Sequence, residues 1–402
     1  MKGCALIHSQ KTGIENMIYL DNSATTEISA AAKQRMLEAM DVYGNPSSKH
    51  GMGIEARRLI DRAREEVGAA LGVPRPGPAN LPFTSCGSEA NNLAILGCLY
   101  SKEKRRQSRV ITTDSEHPSV DNVMRKLEAD GFEVIRISTR GGVVDEEQFS
   151  AALNDQVALV SLMMVNNETG ACYDVKKLFG MVKRRCPEAV THCDAVQGFL
   201  KIPFSPKAIG ADLVSISAHK IHGPKGVGAL YISPEIIKMK KIVPYIIGGG
   251  QEGGYRSGTE NIVGIVGFGA AAAECRQHFS QSIPRIAALR DLCAEKATLA
   301  GARVNLPKGA RAPHVLSLTL PDIKSETMLN FLSAKGICVS AGSACSAHSR
   351  HISSSLIGFG LTEAEADTTI RISFSEYNRE EEILAFGEAL REGIESLVRI
   401  KH

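Results

Sequence analysis

Short apolar segments alternate with amphipathic helical patterns over roughly the first 260 residues. Seven of these segments are mainly apolar and end in polar turns, which is typical of buried strands. Strands that are covered on both faces by helices read as nearly continuous apolar runs, so the pattern predicts an α/β fold with a mostly parallel, seven-stranded sheet between helices. The predicted strands are Leu81–Thr84, Val110–Thr112, Phe132–Ile137, Val157–Val165, Ala189–Cys193, Leu213–Ser217 and Ala229–Ile232.

The pattern changes after the glycine-rich segment Gly248–Gly258. A long helical region, from about Ile262 to Ala300, is followed by fewer strands and by a closing amphipathic helix, which indicates a smaller α+β unit. We therefore predict a large domain of residues 17–260 and a small C-terminal domain of residues 261–402. Residues 1–16 are expected to join the small domain.

Composition excludes several classes of function. The chain has 402 residues, of which 43% are hydrophobic and 23% charged, and its net charge of +3 gives no basic surface for direct nucleic-acid binding. The apolar stretch Ile262–Ala273 is too short and too rich in glycine to cross a bilayer. Ten cysteines without framework spacing fit reduced thiols, and the N-terminus lacks a signal pattern, so we expect a cytoplasmic protein without membrane contact.

A lysine follows one of the predicted strands. Leu213–Ser217 runs directly into Ala218, His219 and Lys220, and several glycines and a proline then break any regular structure. In α/β proteins the carboxyl end of a strand is where functional groups collect. A single lysine is more often a solvated surface charge, so its meaning depends on the other polar groups at strand ends.

Three further groups lie in similar positions. A turn of small residues at 85–88 separates a strand from a helix and can bind a phosphate, although a plain helix cap at Ser88 explains it equally well. Asp194 ends a strand and fits either a pocket or a helix cap, and His117 precedes a helix. A phosphate site, a lysine amine, a carboxylate and a ring for stacking are together what pyridoxal 5′-phosphate (PLP) requires.

At this point the sequence resembles a known family. Six motifs, in the same order along the chain, are similar to those of the cysteine desulfurases, which belong to the class-V branch of the fold-type I PLP enzymes. The resemblance extends from about Met17 to the last helix. The motifs are Tyr19–Thr26, Phe83–Ser85, Val165–Gly170, His192–Gln197, Ser217–Lys220 and Arg256–Thr259.

The resemblance implies a role for each matching residue. Lys220 would hold PLP, Asp194 would pair with its pyridine nitrogen, and His117 would stack on the ring and take part in proton transfer. Arg371 and Asn45 would bind the substrate carboxylate, a role that suits the planar fork of arginine. The remaining cofactor contacts implied are Asn167 and Gln197 at the ring hydroxyl and Gly87, Ser88, Ser217, His219 and the partner subunit's Thr259 at the phosphate.

The phosphate turn departs from the family pattern at two positions. Cys86 stands where the family usually has glycine, and Ser88 stands where threonine is usual. Serine keeps the hydroxyl group. Cysteine would be strained if position 86 required a positive φ, so we expect any change in the geometry of the phosphate turn to be found there.

A polar loop after residue 340 contains the residue that selects the reaction. Cys345 lies among small polar residues and matches the persulfide-forming cysteine of the family, and the positive charges of His348, Arg350 and His351 would favour its thiolate. The alternative is a metal site of Cys338, Cys345, His348 and His351, but this spacing is not a recognised zinc pattern. We expect no metal.

The resemblance implies a homodimeric cysteine desulfurase. It would convert L-cysteine to L-alanine and hold the sulfur as a persulfide on Cys345 for transfer to an acceptor protein, such as an iron–sulfur scaffold. The alternative within the same chemistry is a selenocysteine lyase. A non-catalytic binding protein of the same fold and a redox-sensing thiol protein are weaker alternatives, because Lys220 and Cys345 are both present.

Overall fold

The computed structural model describes residues 17–101, 109–341 and 352–400. Its centre is a seven-stranded sheet in which four of the six strand pairings are parallel, and Gly228–Ile232 runs antiparallel to both of its neighbours. Each strand overlaps its predicted range, so the prediction of a mostly parallel sheet is confirmed. In spatial order the strands are Phe83–Thr84, Gly228–Ile232, Leu213–Ser217, Val190–Asp194, Val157–Met163, Arg109–Thr113 and Glu133–Ile137.

Helices cover both faces of the sheet. Two apolar clusters include sheet residues: one contains Val160 and Val214, and the other contains Leu159 and Leu213, which are their neighbours along the same strands. Because successive side chains of a strand point to opposite faces, the sheet is buried on both sides. The helices are Ala30–Met40, Gly51–Leu71, Gly87–Leu99, Pro118–Ala129, Glu146–Ala152, Val175–Arg185, Pro206–Ile209, Pro234–Lys238, Ile262–Leu299, Ser325–Ala334, Ser354–Phe359, Glu363–Asp367 and Glu380–Ser396.

A second, antiparallel sheet lies in the C-terminal part of the chain. It has its own apolar cluster, in which Leu316, Ile372 and Phe386 are buried. Residues near the N-terminus join this cluster, because Leu20 is buried in it and the neighbouring strand Ile18–Tyr19 pairs in parallel with Ile337–Cys338. The strand order of this sheet is Arg303–Val304, Val315–Thr319, Thr369–Ser373 and Ser340–Ala341.

The long helix Ile262–Leu299 contributes to both cores. Phe268 near its beginning is buried in the cluster of the large sheet, and Leu289 near its end is buried in the cluster of the small sheet. The helix thus begins at the predicted boundary but does not belong to one core alone. The division into residues 17–260 and 261–402 stays a prediction. In the described ranges no helix combines the length and the apolar character that crossing a bilayer requires.

Candidate functional site

Four of the predicted site residues follow parallel strands that are neighbours in the large sheet. Asp194 ends one strand, Ser217 ends the next, and His117 and Asn167 follow two others by four residues each. The carboxyl ends of parallel strands meet at one edge of a sheet, so the fold brings these residues together. This edge is the candidate site.

Lys220 lies in a short 3-10 turn, Ala218–Lys220, that directly follows the strand Leu213–Ser217. Its Nζ donates hydrogen bonds to the backbone oxygens of Ser23, at 2.6 Å, and Ala24, at 2.7 Å. The turn before the first helix therefore holds the lysine amine at the sheet edge. His219, in the same 3-10 turn, has its pKa lowered to about 4, first by burial and then by Lys220 and Lys225, so it is neutral at neutral pH.

The predicted phosphate turn has the geometry of a cradle. The helix begins at Gly87, and its N-cap residue Cys86 has an extended backbone with φ −174° and makes no side-chain cap bond. Position 86 therefore does not require a positive φ, and Cys86 is accommodated without strain because any residue adopts an extended conformation. The alternative of a cap at Ser88 is wrong, because Cys86 is the N-cap residue. A Cβ atom at Gly87 would come within 2.8 Å of Val196, so the close approach requires glycine.

A polar atom without a partner faces the same part of the sheet edge. The hydroxyl oxygen of Ser217 is buried and has no hydrogen-bond partner. Buried polar atoms are normally paired, so an unpaired hydroxyl beside a helix N-terminus fits an anion such as a phosphate. Ser88 is exposed at the second position of that helix.

Asp194 is buried and accepts two hydrogen bonds. Its Oδ1 accepts from the backbone N–H of Val196 at 3.0 Å, and its Oδ2 accepts from the side-chain amide of Asn91 at 2.7 Å. The first bond is local and corresponds to the cap that was one of the two interpretations of Asp194 from the sequence. The second bond joins the carboxylate to the helix Gly87–Leu99. Two donors hold the carboxylate in one orientation.

His117 is the N-cap of the helix Pro118–Ala129. Its Nδ1 lies 2.8 Å from the hydroxyl of Ser119 and accepts from the backbone N–H of the same residue at 3.1 Å. Burial lowers the pKa of His117; Asp194 opposes this shift, and the positive charges of Lys220 and Arg371 add to it. The ring is therefore neutral at neutral pH.

Gln197 is fixed by a buried histidine. Its Oε1 accepts from His314 Nε2 at 3.1 Å, and its Nε2 donates to the Ser23 backbone oxygen at 2.9 Å. Burial lowers the pKa of His314 well below its ordinary value, and nearby cations lower it further, so this ring is neutral too. The Oδ1 atom of Asn167 is buried without a partner. It is a second polar atom that a bound group could pair.

Arg371 connects the small sheet to this edge of the large sheet. Its guanidinium donates to Asp21 Oδ1 at 2.7 Å and to the backbone oxygen of Asn167 at 3.1 Å, while its Nε is buried without a partner. Asn45 is exposed, and its side-chain oxygen accepts from the backbone N–H of Ser47. The described part of the chain shows no hydrogen bond between Asn45 and Arg371.

The glycine-rich segment is anchored to the helix Gly51–Leu71. Glu252 forms a bidentate ion pair with Arg64, at 2.7 and 3.0 Å, and both side chains are almost fully buried. Glu260, directly after Thr259, forms a second ion pair with Arg57 at 2.8 Å. Thr259 itself is exposed.

The segment that carries Cys345 lies outside the described residues, as do His348, Arg350 and His351. Its two described ends both lie next to the site. Before the segment, Ser340 lies opposite Arg371 in the neighbouring antiparallel strand. After it, the hydroxyl of Ser355 donates to the backbone oxygen of Ser115 at 3.0 Å. The described residues contain no cluster of three or more metal-binding side chains, and the alternative metal site falls largely on the undescribed segment.

Three residues in contact with the site were not singled out from the sequence. Asn91 and Ser119 link Asp194 to His117, and His314 fixes Gln197. Asn91 occurs in the sequence next to the predicted phosphate turn, but nothing in its pattern shows which strand end it reaches. His314 lies 117 positions from its partner, so only the folded chain could reveal this pair.

Comparisons with known proteins agree with this geometry. The family model "Aminotransferase class-V" matches residues 18–386. A relative named cysteine desulfurase, from Trichormus azollae, is 38% identical over 386 residues, which cover 95% of this chain and 94% of that protein.

Two solved structures are similar along most of the chain. A structure described as a NifS-like protein superimposes with a TM-score of 0.87 at 36% identity, covering 95% of this chain and all of that one. A second, described as SspA in complex with cysteine, superimposes with a TM-score of 0.77 at 31% identity and covers 90% of this chain and all of the other.

Proposed function

Because the chain belongs to the class-V aminotransferase family and, within it, to the cysteine desulfurases, we propose that it converts L-cysteine to L-alanine and retains the sulfur as a persulfide on Cys345. The observation that carries this proposal is the position of the two described ends of the segment containing Cys345. One end pairs with Arg371, and the other binds the turn that precedes His117. The two described ends of the segment thus lie beside the groups that would bind an amino acid.

The enzymes of this family depend on PLP, and the residues of the site fit that cofactor. The unpaired Ser217 hydroxyl and the glycine-only approach at Gly87 suit a phosphate, together with Ser88, His219 and a partner subunit's Thr259. Asp194 would hold the pyridine nitrogen in its protonated form, and the unpaired Asn167 Oδ1 and Gln197 would contact the ring hydroxyl. PLP withdraws electrons from the amino acid that is bound to it.

The protein's own residues supply binding and proton transfer. Lys220 is the residue that would hold the cofactor, and its amine would move the Cα proton of the substrate. Arg371 exchanges its bond with Asp21 for the substrate carboxylate, helped by Asn45, because a guanidinium binds a carboxylate in a bidentate way. His117 would stack on the ring and would offer its imidazole to the reacting groups.

The sulfur transfer is a nucleophilic displacement at sulfur. The thiolate of Cys345 forms a sulfur–sulfur bond with the substrate while the carbon–sulfur bond breaks. The carbon keeps the electron pair and is protonated to give alanine, and the sulfur stays on the protein as a persulfide. An acceptor protein, such as an iron–sulfur scaffold, would then take the sulfur without release of free sulfide.

We further propose that the active protein is a homodimer in the cytoplasm. Tyr245, Ile246 and Ile247 precede the loop that carries Thr259, and Ile247 is 84% exposed, which fits a surface that a second subunit covers. No disulfide is found among the eight cysteines that the structure describes, which fits an environment where thiols stay reduced.

Two measurements on the purified protein test the activity. Reduction with borohydride should fix the cofactor to the peptide that contains Lys220, and a label on Lys225 instead would contradict the proposed site. Alanine release should be measured from both L-cysteine and selenocysteine. Turnover of L-cysteine is the expected result, whereas turnover of selenocysteine alone would identify a selenocysteine lyase.

A further inference from the structure

A continuous series of hydrogen bonds joins Asp194 to His117 through two side chains. The amide nitrogen of Asn91 donates to Asp194 Oδ2 at 2.7 Å and to the hydroxyl oxygen of Ser119 at 2.9 Å. The Ser119 hydroxyl in turn lies 2.8 Å from His117 Nδ1. Asn91 is 1% exposed, so the hydrogen bonds of its amide group are shielded from water.

The charge of Asp194 sets the direction of every bond in this series. An ionised carboxylate only accepts hydrogen bonds, so the NH₂ group of Asn91, and not its oxygen, faces Asp194. The second hydrogen of the same NH₂ group points to Ser119, whose hydroxyl oxygen is therefore an acceptor. The hydroxyl hydrogen of Ser119 is then directed to His117 Nδ1.

His117 Nδ1 has a second donor as well. The backbone N–H of Ser119 points to the same nitrogen at 3.1 Å. A nitrogen that accepts from two donors carries no hydrogen of its own, and the ring is neutral, so its hydrogen must be on Nε2.

We propose that Asn91 and Ser119 are positioning residues that hold His117 in the tautomer with its hydrogen on Nε2. The imidazole then offers a hydrogen-bond donor, and not a free basic nitrogen, to the groups that react beside it. This inference rests on the proposed position of His117 in the active site for its role in catalysis, but the tautomer itself follows from the hydrogen bonds.

The test is ¹⁵N nuclear magnetic resonance of the histidine side chains, in the PLP-loaded protein and after PLP has been removed. The signals of His117 are identified by their loss in His117→Gln. In the unaltered protein Nε2 should resonate as a nitrogen that bears hydrogen and Nδ1 as one that accepts hydrogen bonds, in both forms.

Variants of Ser119 and Asn91 then test whether this series of hydrogen bonds holds the tautomer of His117. In Ser119→Ala the Nδ1 signal should move towards that of a free, unbonded nitrogen, and the ratio of the two tautomers should fall by about fivefold, as expected for the loss of one net hydrogen bond of about 1 kcal/mol. Asn91→Ala should shift the signal in the same direction. Ser119→Thr keeps the hydroxyl and should restore the original spectrum.

Ser115→Ala is the matched control. Ser115 lies two residues before His117, as Ser119 lies two residues after it, but the Ser115 hydroxyl bonds to Tyr173 at 2.8 Å. The proposal is overturned if His117 carries its hydrogen on Nδ1, or if Ser119→Ala and Ser115→Ala give the same His117 signals. Because the spectra require neither substrate nor turnover, these outcomes are independent of whether the protein forms alanine.

Discussion

Glu116 is a buried carboxyl group beside the candidate site at the edge of the large sheet. Its Oε1 accepts from the Thr113 hydroxyl at 2.7 Å and from the backbone N–H of Met163 at 3.0 Å, while its Oε2 has no partner. Burial raises its pKa to about 8, and the charge of Asp194 adds to the shift. Glu116 is therefore protonated in the folded protein at neutral pH, whereas it is ionised in the unfolded chain.

This difference makes the folded state less stable as the pH rises. Between the ordinary pKa of 4.5 and the folded value of about 8, the native protein binds a proton that the unfolded chain has lost. The free energy of unfolding therefore falls with rising pH in this window, by about 1.4 kcal/mol per pH unit for this one group. Below pH 4.5 the effect disappears, because both states are protonated.

The substitution Glu116→Gln should remove this dependence. Glutamine has the shape of the protonated acid and keeps the bonds to Thr113 and Met163. The unfolding free energy of the variant minus that of the unaltered protein should increase by roughly 3 kcal/mol from pH 4 to pH 7. Urea unfolding at several pH values measures the difference, and a difference that stays constant across this range would show that Glu116 is not protonated in the folded state.

The glycine-rich loop is an element held in place by a buried ion pair. Glu252 has a positive φ of 51°, which costs energy for a residue with a side chain, and its carboxylate is held by Arg64 and by the backbone N–H of Phe83. Arg64 also donates to the backbone oxygen of Leu81. The pair thus fixes the loop that leads to Thr259 against the strand before the phosphate turn.

Glu252→Gln should be strongly destabilising, because it leaves the buried guanidinium of Arg64 without a charged partner. We expect a loss of about 3–5 kcal/mol in unfolding free energy. The control is Glu55→Gln, which breaks an exposed ion pair with Arg58 in the helix that also contains Arg64. This substitution should cost at most about 1 kcal/mol. Equal losses in the two variants, measured by denaturant unfolding, would contradict the structural role of the buried pair.

Elements could be predicted from the sequence to the extent that burial leaves a pattern. The strand Leu213–Ser217 is a continuous run of apolar and small residues, so the sequence predicts its type. Val190–Asp194 contains polar residues as well, and the strand is predicted from the apolar residues beside them. The small residues of the phosphate turn are visible in the sequence, but the extended backbone of Cys86 and the close contact of Gly87 with Val196 are seen only in the folded chain. The contacts of Asn91 and His314 join distant parts of the chain, and no local pattern encodes them.

At the scale of the whole molecule, the site is expected to be shared between two subunits. Thr259 is exposed, although the loop around it is anchored by Glu252 and Glu260. A fixed loop with an exposed hydroxyl fits a role in the phosphate site of a second subunit. A charge-assisted hydrogen bond of this kind contributes about 1.5–3 kcal/mol, so dimer formation would complete the site.

A mixed dimer distinguishes this arrangement from a site within one chain. One subunit carries Lys220→Ala and the other carries Thr259→Glu, which repels the phosphate. If Thr259 acts across the interface, one site has both defects and the other is intact, so about half of the activity per dimer should remain. A nearly inactive mixed dimer, with its assembly confirmed, would mean that Thr259 serves its own chain.

The most direct test of the central claim is a single turnover with L-cysteine labelled in its sulfur. The PLP-loaded protein is mixed with the labelled substrate, and the persulfide is located by peptide mass spectrometry while alanine is counted. We predict one labelled sulfur on Cys345 for each alanine formed, and almost no alanine above background in Cys345→Ser, although that variant still binds PLP. Alanine formation with the label on Cys338, or with no label on Cys345, would contradict the account.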